Sequence, residues 1–233
     1  MSPDADVLQL LQRRGPDSTS CAQHSYSHDS TCGVEGSGNI FLNFTSTVLS
    51  LRGSRTVSQP FQNSDGSHVL CWNGEAWSIA GHPAKGNDTE AVFGLLSAAA
   101  SPSHGPNSSA HNASEAIARH MATIVGPYAF VFFDRHAGRV YLGRDFLGRR
   151  ALLWRTNESG DLLISSITSG SHDNAWSEIE ADGIYCIDLN VPSGHADTQD
   201  QALGITSSFA ISKVPYHVAV DGDESGTFSV GDQ

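Results

Sequence analysis

The spacing of apolar residues predicts a helix near the start of the chain. Ser2 and Pro3 are typical of a helix start, because serine caps a helix and proline is tolerated at its first position. Gly15-Pro16 then ends the predicted helix, since proline cannot continue it. The apolar residues that recur at helical spacing in between are Val7, Leu8, Leu10 and Leu11.

Further along, short β-type runs are interrupted by two more helical patterns. Helices are predicted over residues 89–100 and 114–124, and the turn signals at 134–138 join two apolar runs into a hairpin. Strands are predicted at 39–44, 47–51, 69–72, 128–133, 139–143, 151–154, 162–165 and 184–189. The chain is therefore a mixture of α and β elements, in an order that fits sheets covered by helices.

The composition changes after residue 190. Beyond it the chain is rich in Gly, Ser, Asp and Thr, and its only periodic stretch is a short strand candidate at 216–220. We expect one domain over residues 1–190 and a linker or tail over residues 191–233.

The charge balance narrows the range of partners. With 13 basic and 25 acidic residues, the net charge of -12 repels phosphate backbones and anionic lipids, so we expect no nucleic acid and no membrane partner. No apolar run approaches the roughly 20 residues that cross a bilayer, and no signal peptide is evident. We expect a soluble cytoplasmic protein.

The cysteines are too scattered for a disulfide framework, so free thiols are expected. One group, Cys21, His24, His28 and Cys32, has a spacing that could converge on zinc. The surrounding stretch is rich in Ser, His, Asp and Gly, which favours a surface loop without metal. We keep a zinc site as a minor alternative.

Five short motifs follow one another in a fixed order. They are Arg14-Gly15-Pro16-Asp17, Leu51-Arg52-Gly53, Trp72-Asn73-Gly74-Glu75, Asn87-Asp88-Thr89-Glu90 and the segment from Gly143 to Trp154. The ordered set resembles the class II glutamine amidotransferase domain of the asparagine synthetase family, in particular of the asparagine synthetase domain-containing proteins. The resemblance covers roughly residues 7–189. It implies an α+β fold, the four-layer α/β/β/α sandwich of the N-terminal-nucleophile (Ntn) hydrolases.

The resemblance also implies a site for glutamine or glutamate. Arg52 would pair with the α-carboxylate of the substrate, and Asp88 would bind its α-ammonium group. Asn73 and Gly74 would form the oxyanion hole, and Glu75 would contact the substrate through its backbone. Without the resemblance, Arg52 could be a surface arginine, Asn73-Gly74 a hairpin turn and Asp88 a helix N-cap. Arg144 and Asp145 are expected to form an internal ion pair or to bracket a turn.

The nucleophile of the resembling family is not found. That family begins Met-Cys-Gly-Ile, whereas this chain begins Met1-Ser2-Pro3-Asp4, and the predicted helix fills the residues before Arg14. We therefore expect a truncated chain without the first strand. Ser2 is a poor substitute, because it caps the helix and no strand carries it towards the oxyanion hole.

Two functions remain open at this stage. The first is a glutaminase domain that would supply ammonia for asparagine biosynthesis but is inactive without its cysteine. The second is a non-catalytic module that binds an amino acid or docks to a synthetase domain. No cofactor is expected in this chain, because ATP and Mg²⁺ would belong to the synthetase domain of the family.

Overall fold

The computed structural model of the protein describes residues 5–27, 39–101, 110–168, 170, 176–192 and 209–216. Its helices are α1 (Ala5–Arg14), α2 (Asp88–Ala100) and α3 (Ala110–Ala122). Its strands are β1 (Ser18–Ser27), β2 (Asn39–Val48), β3 (Phe61–Gln62), β4 (His68–Gly74), β5 (Ser78–Ile79), β6 (His82–Pro83), β7 (Ile124–Val125), β8 (Tyr128–Asp134), β9 (Arg139–Arg144), β10 (Leu153–Thr156), β11 (Leu162–Ser165), β12 (Ser177–Glu178), β13 (Gly183–Pro192) and β14 (Phe209–Pro215).

A six-stranded sheet with the order β14-β13-β9-β8-β4-β3 forms the centre of the fold. Its neighbouring strands are antiparallel, and β8 and β9 form the hairpin that the sequence predicts. Both faces of β8 are buried: every residue from Tyr128 to Asp134 except Val131 is classed as buried. A central strand that is covered on both sides explains why its sequence is a continuous apolar run.

Helices α2 and α3 cover one face of this sheet. Leu70 and Trp72 of β4 point to this face, together with Phe130 and Phe132 of β8. The helices contribute Val92, Leu96, Ile117 and Met121, all fully buried. This apolar layer fixes the position of the N-terminus of α2 relative to the end of β4.

Two small sheets pack against the other face. One is the hairpin β1-β2, and the other has the order β11-β10-β12. Phe44 of β2 and Trp154 of β10 share a core with Val69 and Phe133 of the central sheet. Helix α1 contacts β2, where the Thr47 hydroxyl donates a hydrogen bond to the Leu11 carbonyl oxygen (2.7 Å). The described part of the chain is thus mixed α and β with antiparallel sheets.

The structure corrects the loop expected around Cys21. Residues 18–27 form β1, which pairs with β2 without a break from Ser18 opposite Val48 to Ser27 opposite Asn39. The inward face of β1 carries Ala22, His24 and Tyr26, so the strand has little of the apolar character from which strands are recognised.

Three further elements differ from the prediction. The two strands expected at 39–44 and 47–51 are the single strand β2. Asn73 and Gly74 lie inside β4, so the alternative of a hairpin turn is wrong. Within the segment expected to be linker or tail, residues 209–215 form the edge strand β14, and the strand expected at 216–220 is not formed at Tyr216.

The proposed zinc residues do not meet in the part that is described. Cys21 is exposed and bonds to Thr45, whereas His24 points to the opposite face of β1, since the two are three positions apart in a strand. His28 and Cys32 lie outside the described residues. Among the described residues, no group of three or more His, Cys, Asp or Glu side chains could hold a metal ion.

The described helices are all too short or too polar to cross a membrane.

Candidate active site

One cavity of about 1260 Å³ lies between the central sheet and the small sheets. All five residues that the sequence assigns to the site line it: Arg52, Asn73, Gly74, Glu75 and Asp88. They come from the end of β4, the loop after β2 and the first turn of α2. Residues far apart in the chain are therefore brought to one place.

The carboxylate of Asp88 is buried and holds the strand end to the helix. Its Oδ2 accepts hydrogen bonds from the indole Nε1 of Trp72 (3.1 Å) and from the backbone N–H of Ala76 (2.8 Å). Asp88 is the first residue of α2, where a negative charge is favoured by the helix dipole. The N-cap is its neighbour Asn87, whose side chain accepts from Thr89 N, so the N-cap alternative for Asp88 is wrong.

A buried glutamine supports this arrangement and was not predicted from the sequence. Gln59 is 6% exposed, and its Oε1 accepts from the backbone N–H of Trp72 (2.7 Å). Its Nε2 donates to the Thr89 hydroxyl of α2 (3.2 Å). Gln59 thus links β4 to α2 beside Asp88. It lies outside the five motifs, so no sequence signal marked it.

Arg52 contacts Ala76, the residue whose N–H bonds to Asp88, through its carbonyl oxygen. It lies four residues beyond β2, in a loop, rather than at the strand end that the sequence suggested. Its Nη1 donates to the carbonyl oxygen of Ala76 (2.9 Å), and its Nε and Nη2 donate to Oε1 of Glu75 (3.3 and 3.2 Å). The Arg52 side chain is 27% exposed and lines the cavity.

Asn73 offers a hydrogen-bond donor that the described residues do not use. Its Nδ2 is buried and has no hydrogen-bond partner among them. Side chains alternate along β4, so Asn73 faces the cavity on the side of Val69 and Cys71, opposite the helices. A buried amide without a partner costs about 1–3 kcal/mol, and such groups often mark functional sites.

The backbone N–H of Gly74 also points away from the neighbouring strand. Gly74 pairs with Tyr128, and the next N–H, that of Glu75, donates to Pro127. In an antiparallel ladder this pattern turns the Gly74 N–H away from β8. On that side β3 pairs with Val69 and Leu70, so none of the described strands covers β4 at Gly74.

Glycine at position 74 is also required by packing. A Cβ built on it would lie 2.7 Å from the Cβ of Tyr128 and 2.9 Å from the carbonyl oxygen of Pro127. Both distances are too short for any larger residue without a shift of the β4-β8 pair. The close approach of two strands therefore fixes glycine here, independently of any substrate.

The last motif forms scaffold rather than site. Arg144 donates to the carbonyl oxygens of Gly148, Arg150 and Ile179, and Asp145 accepts from backbone N–H groups of Tyr128, Leu147 and Arg149. The two bracket a turn, as one of the two expectations states. Their ionic partners are Glu178 and Arg149 rather than each other.

The described cysteines are Cys21, Cys71 and Cys186, and Cys71 lines the cavity. Burial raises the pKa of the Cys71 thiol to about 11, although a hydrogen bond with Ser46 acts in the opposite direction. The thiolate is the nucleophilic form, so this thiol is unreactive near neutral pH.

The fold resembles that of two solved enzymes. The glutamine phosphoribosylpyrophosphate amidotransferase from B. subtilis superposes with a TM-score of 0.50 at 15% identity, over 91% of this chain and 45% of that chain. A structure described as the allosteric regulatory enzyme of purine biosynthesis superposes with a TM-score of 0.51 at 14% identity, over 93% of this chain and 46% of that chain. The fold is that of the Ntn-type glutamine amidotransferases.

Sequence comparison identifies the family. A model of the glutamine amidotransferase domain matches residues 46–170, which is more than half of the chain. The chain therefore belongs to the glutamine amidotransferase domain family.

Curated relatives have the name asparagine synthetase domain-containing protein 1. The mouse (Mus musculus) protein is 32% identical over 188 residues, 79% of this chain and 26% of its own length. The cattle (Bos taurus) protein is 31% identical over 223 residues, which are 94% of this chain and 29% of its own length. The human (Homo sapiens) protein is 33% identical over 188 residues, which are 79% of this chain and 25% of its own length. The chain thus spans about a quarter of the length of these relatives, and the predicted resemblance is confirmed.

Proposed function

We propose that this chain is the glutaminase domain of an asparagine synthetase-like protein, and that its cavity binds free glutamine. Arg52 pairs with the α-carboxylate, and Asp88 and Glu75 provide negative charge for the α-ammonium group. The contacts that support this are those to Ala76, which bring the guanidinium and the buried carboxylate to the same residue. A cation and two carboxylates at one end of a cavity suit a zwitterion.

The side-chain amide of the substrate then lies at the end of β4. In the proposed reaction, a nucleophile adds to the γ-carboxamide carbon, and the resulting oxyanion accepts from Asn73 Nδ2 and the Gly74 N–H. The C–N bond then breaks, the amide nitrogen takes the proton that the nucleophile lost and leaves as ammonia, and water hydrolyses the acyl intermediate to glutamate and restores the nucleophile. The observation that carries this proposal is the buried Asn73 amide without a partner, because a donor prepared for an oxyanion has none in the resting state.

Hydrolysis also requires a nucleophile and a base. The cavity-lining cysteine, Cys71, is protonated at neutral pH and is an interior residue without a free α-amine. We therefore propose that a polypeptide of this sequence binds glutamine but does not hydrolyse it. The protonated Cys71 thiol also favours the second candidate function, a non-catalytic module that binds an amino acid or docks to a synthetase domain.

We further propose the four-layer α/β/β/α arrangement for this domain, with α1 as the outer layer on the small sheets. The ammonia acceptor would be bound by a synthetase domain, which is also where ATP and Mg²⁺ would bind. Curated relatives that are about three times as long and carry asparagine synthetase in their name support this partner. A cytoplasmic location is part of the same proposal.

Calorimetric titration tests the binding proposal. L-Glutamine should bind, whereas butyramide, which has the carboxamide but neither α group, should not. Arg52→Ala and Asp88→Ala should each abolish glutamine binding. Failure of the unmodified protein to bind either glutamine or glutamate would overturn the assignment of the site.

A glutaminase assay of the same protein tests the proposal that it does not hydrolyse glutamine. We expect no ammonia release above background. Substantial turnover that disappears in Ser2→Ala would show an alternative nucleophile and contradict the inactive state.

A further inference from the structure

The guanidinium that is proposed to bind the substrate carboxylate already holds a carboxylate of this chain. Oε1 of Glu75 accepts hydrogen bonds from Nε (3.3 Å) and Nη2 (3.2 Å) of Arg52. Nε and Nη2 form the side-on edge of the guanidinium, which can bind a carboxylate through two parallel N–H groups. The end-on edge is formed by Nη1 and Nη2, and its Nη1 donates to the carbonyl oxygen of Ala76 (2.9 Å). A second carboxylate can therefore use the side-on edge only if Glu75 leaves it.

The contact between Glu75 and Arg52 is easily opened. Both of its bonds are longer than the roughly 2.7–2.9 Å of a tight charge-assisted hydrogen bond, and both go to the same carboxylate oxygen. The two side chains are 32% and 27% exposed, and partly exposed ion pairs contribute little to stability. The pair of Arg149 with Asp145 is different, because its bond is 2.8 Å long and Asp145 is buried. Glu75 can thus exchange its partner, whereas Asp145 belongs to the scaffold.

Opening of this pair leaves the surrounding backbone in place. The N–H of Glu75 donates to the carbonyl oxygen of Pro127 (2.9 Å). A Cβ at Gly126 would overlap the carbonyl oxygen of Glu75, so the two backbones approach each other closely. On the other side, the bond to the buried Ala76 holds the Arg52 guanidinium without help from Glu75. The movement required is therefore a rotation of the Glu75 side chain alone.

A zwitterion can replace Glu75 with a gain of ion pairs. In an α-amino acid the ammonium and the carboxylate are attached to the same carbon. A ligand whose carboxylate takes the side-on edge of Arg52 therefore brings its ammonium close to the displaced Glu75. One ion pair opens and two form. A carboxylate without an ammonium group opens one pair and forms one, and it leaves Glu75 without a cation, which is unfavourable in a partly buried site.

We propose that Glu75 is a specificity residue, which occupies the place of the substrate carboxylate in the ligand-free protein and yields it only to ligands that carry both α groups. This inference rests on the proposed function, because it concerns the site that is assigned there to glutamine. It adds that the two charges of a free amino acid are recognised together, through the exchange of the Glu75 partner. Simple carboxylic acids are excluded even when their side chain fits the cavity.

Two ligands that differ only in the ammonium group test this exchange by calorimetry. They are L-glutamine and its deamino analogue 4-carbamoylbutyrate, which keeps the carboxylate and the carboxamide. The unmodified protein should bind glutamine more tightly. Glu75→Ala frees the side-on edge of Arg52, so its affinity for the deamino ligand should rise at least about tenfold. Its affinity for glutamine should rise less or fall, because the partner of the ammonium group is lost. No rise for the deamino ligand would overturn the proposal.

Other roles of Glu75 predict different results. If Glu75 only attracted the ammonium group, Glu75→Ala would weaken glutamine binding and leave the deamino ligand unaffected. If Glu75 only shaped the end of β4, the variant would weaken both. Either result would contradict the exchange. Glu75→Gln keeps the size of the side chain and removes its charge, so it should change the affinity for the deamino ligand in the same direction as Glu75→Ala, by a smaller factor.

Two further variants locate the effect. In the double variant Glu75→Ala/Arg52→Ala the gain for the deamino ligand should disappear, since the guanidinium that was freed is absent. Glu90 forms a comparable pair with Arg55, in which the side chains are 40% and 69% exposed, and it lies outside the cavity lining. Glu90→Ala should therefore leave both affinities unchanged. A gain that persists in the double variant, or that also occurs in Glu90→Ala, would overturn the assignment to Glu75.

The same titrations separate this inference from the proposed function. Glutamine binding by the unmodified protein, without a gain for the deamino ligand in Glu75→Ala, would overturn the exchange and leave the glutamine site intact. A gain for the deamino ligand, with no binding of glutamine or glutamate by the unmodified protein, would contradict the glutamine site and leave Glu75 as the occupant of the Arg52 edge. If neither ligand binds to any of these proteins, both proposals fail.

Discussion

Arg52 and Asp88 hold opposite sides of one residue, Ala76. Arg52 donates to its carbonyl oxygen (2.9 Å), and Asp88 accepts from its N–H (2.8 Å). Ala76 itself is fully buried, so its backbone cannot turn to water if one of these contacts is lost. The two charges that are proposed to bind the substrate therefore also fix the end of β4, and substitutions must separate a binding effect from a structural one.

Replacement of Asp88 should separate these two roles. Asp88→Ala leaves the indole N–H of Trp72 and the N–H of Ala76 buried without an acceptor, which should cost about 2–4 kcal/mol of unfolding free energy. Asp88→Asn keeps an acceptor oxygen and should cost about 1 kcal/mol, yet it should still abolish glutamine binding. Urea unfolding and calorimetry measure the two effects.

Glu90 provides the control for this pair. It lies in the same first turn of α2 but is 40% exposed and pairs with Arg55. Glu90→Ala should change stability by less than about 1 kcal/mol and leave glutamine binding intact. If Asp88→Asn bound glutamine as well as the unmodified protein, Asp88 would have a structural role alone.

Substitution of Arg52 by lysine tests the guanidinium fork. Lysine keeps the positive charge but cannot form a bidentate contact with a carboxylate, so glutamine affinity should fall at least about tenfold. The ion pair with Glu75 is partly exposed, so stability should change by less than about 1 kcal/mol. The matched change Arg55→Lys, at a residue that is 69% exposed, should leave the affinity as it was. An equal loss in both variants would indicate a general charge effect.

Because the Asn73 amide has no partner among the described residues, its removal should change the unfolding free energy little. Asn73→Ala removes a buried donor that has no partner among the described residues, so the relief of its desolvation cost should offset the lost packing, and we expect a net change below about 1 kcal/mol. Asn63 has a similar side chain with both ends bonded, to Ser67 and to the N–H of His68, and Asn63→Ala should cost about 1–2 kcal/mol. Chemical denaturation compares the two. A larger loss for Asn73→Ala would mean that its amide has a structural partner.

The central elements of the fold could be predicted because their periodicity reflects burial. The hairpin β8-β9 and the strand β11 lie where the apolar runs place them, and α1 ends at Arg14 before Gly15-Pro16. Strand β1 could not be recognised, since its inward positions include His24, whose ring packs against Phe44 and Phe133. A strand with a polar inward face has no apolar alternation for the sequence to show.

The candidate site was predictable only as far as its motifs extend. Five residues were named from short motifs, and all five line one cavity. The bonds from Gln59 and from the Trp72 indole were not predictable, because they depend on how α2 crosses the end of β4. Local sequence likewise allowed a hairpin turn as the alternative at Asn73-Gly74, whereas pairing with β8 extends the strand through both residues.

Stability should fall at alkaline pH because two thiols are buried in the folded protein. Burial raises the pKa of both Cys71 and Cys186 from 9.0 to about 11. A group whose pKa is raised on folding binds its proton more tightly in the folded state, so its contribution is complete below pH 9 and is lost as the pH rises towards 11. Each thiol should lower the unfolding free energy by roughly 1 kcal/mol per pH unit in that range. Urea unfolding from pH 7.5 to pH 10.5 measures the slope, and Cys71→Ala should make it shallower because one titrating group is removed. An identical slope in the variant, or a stability that rises above pH 9, would contradict the assignment.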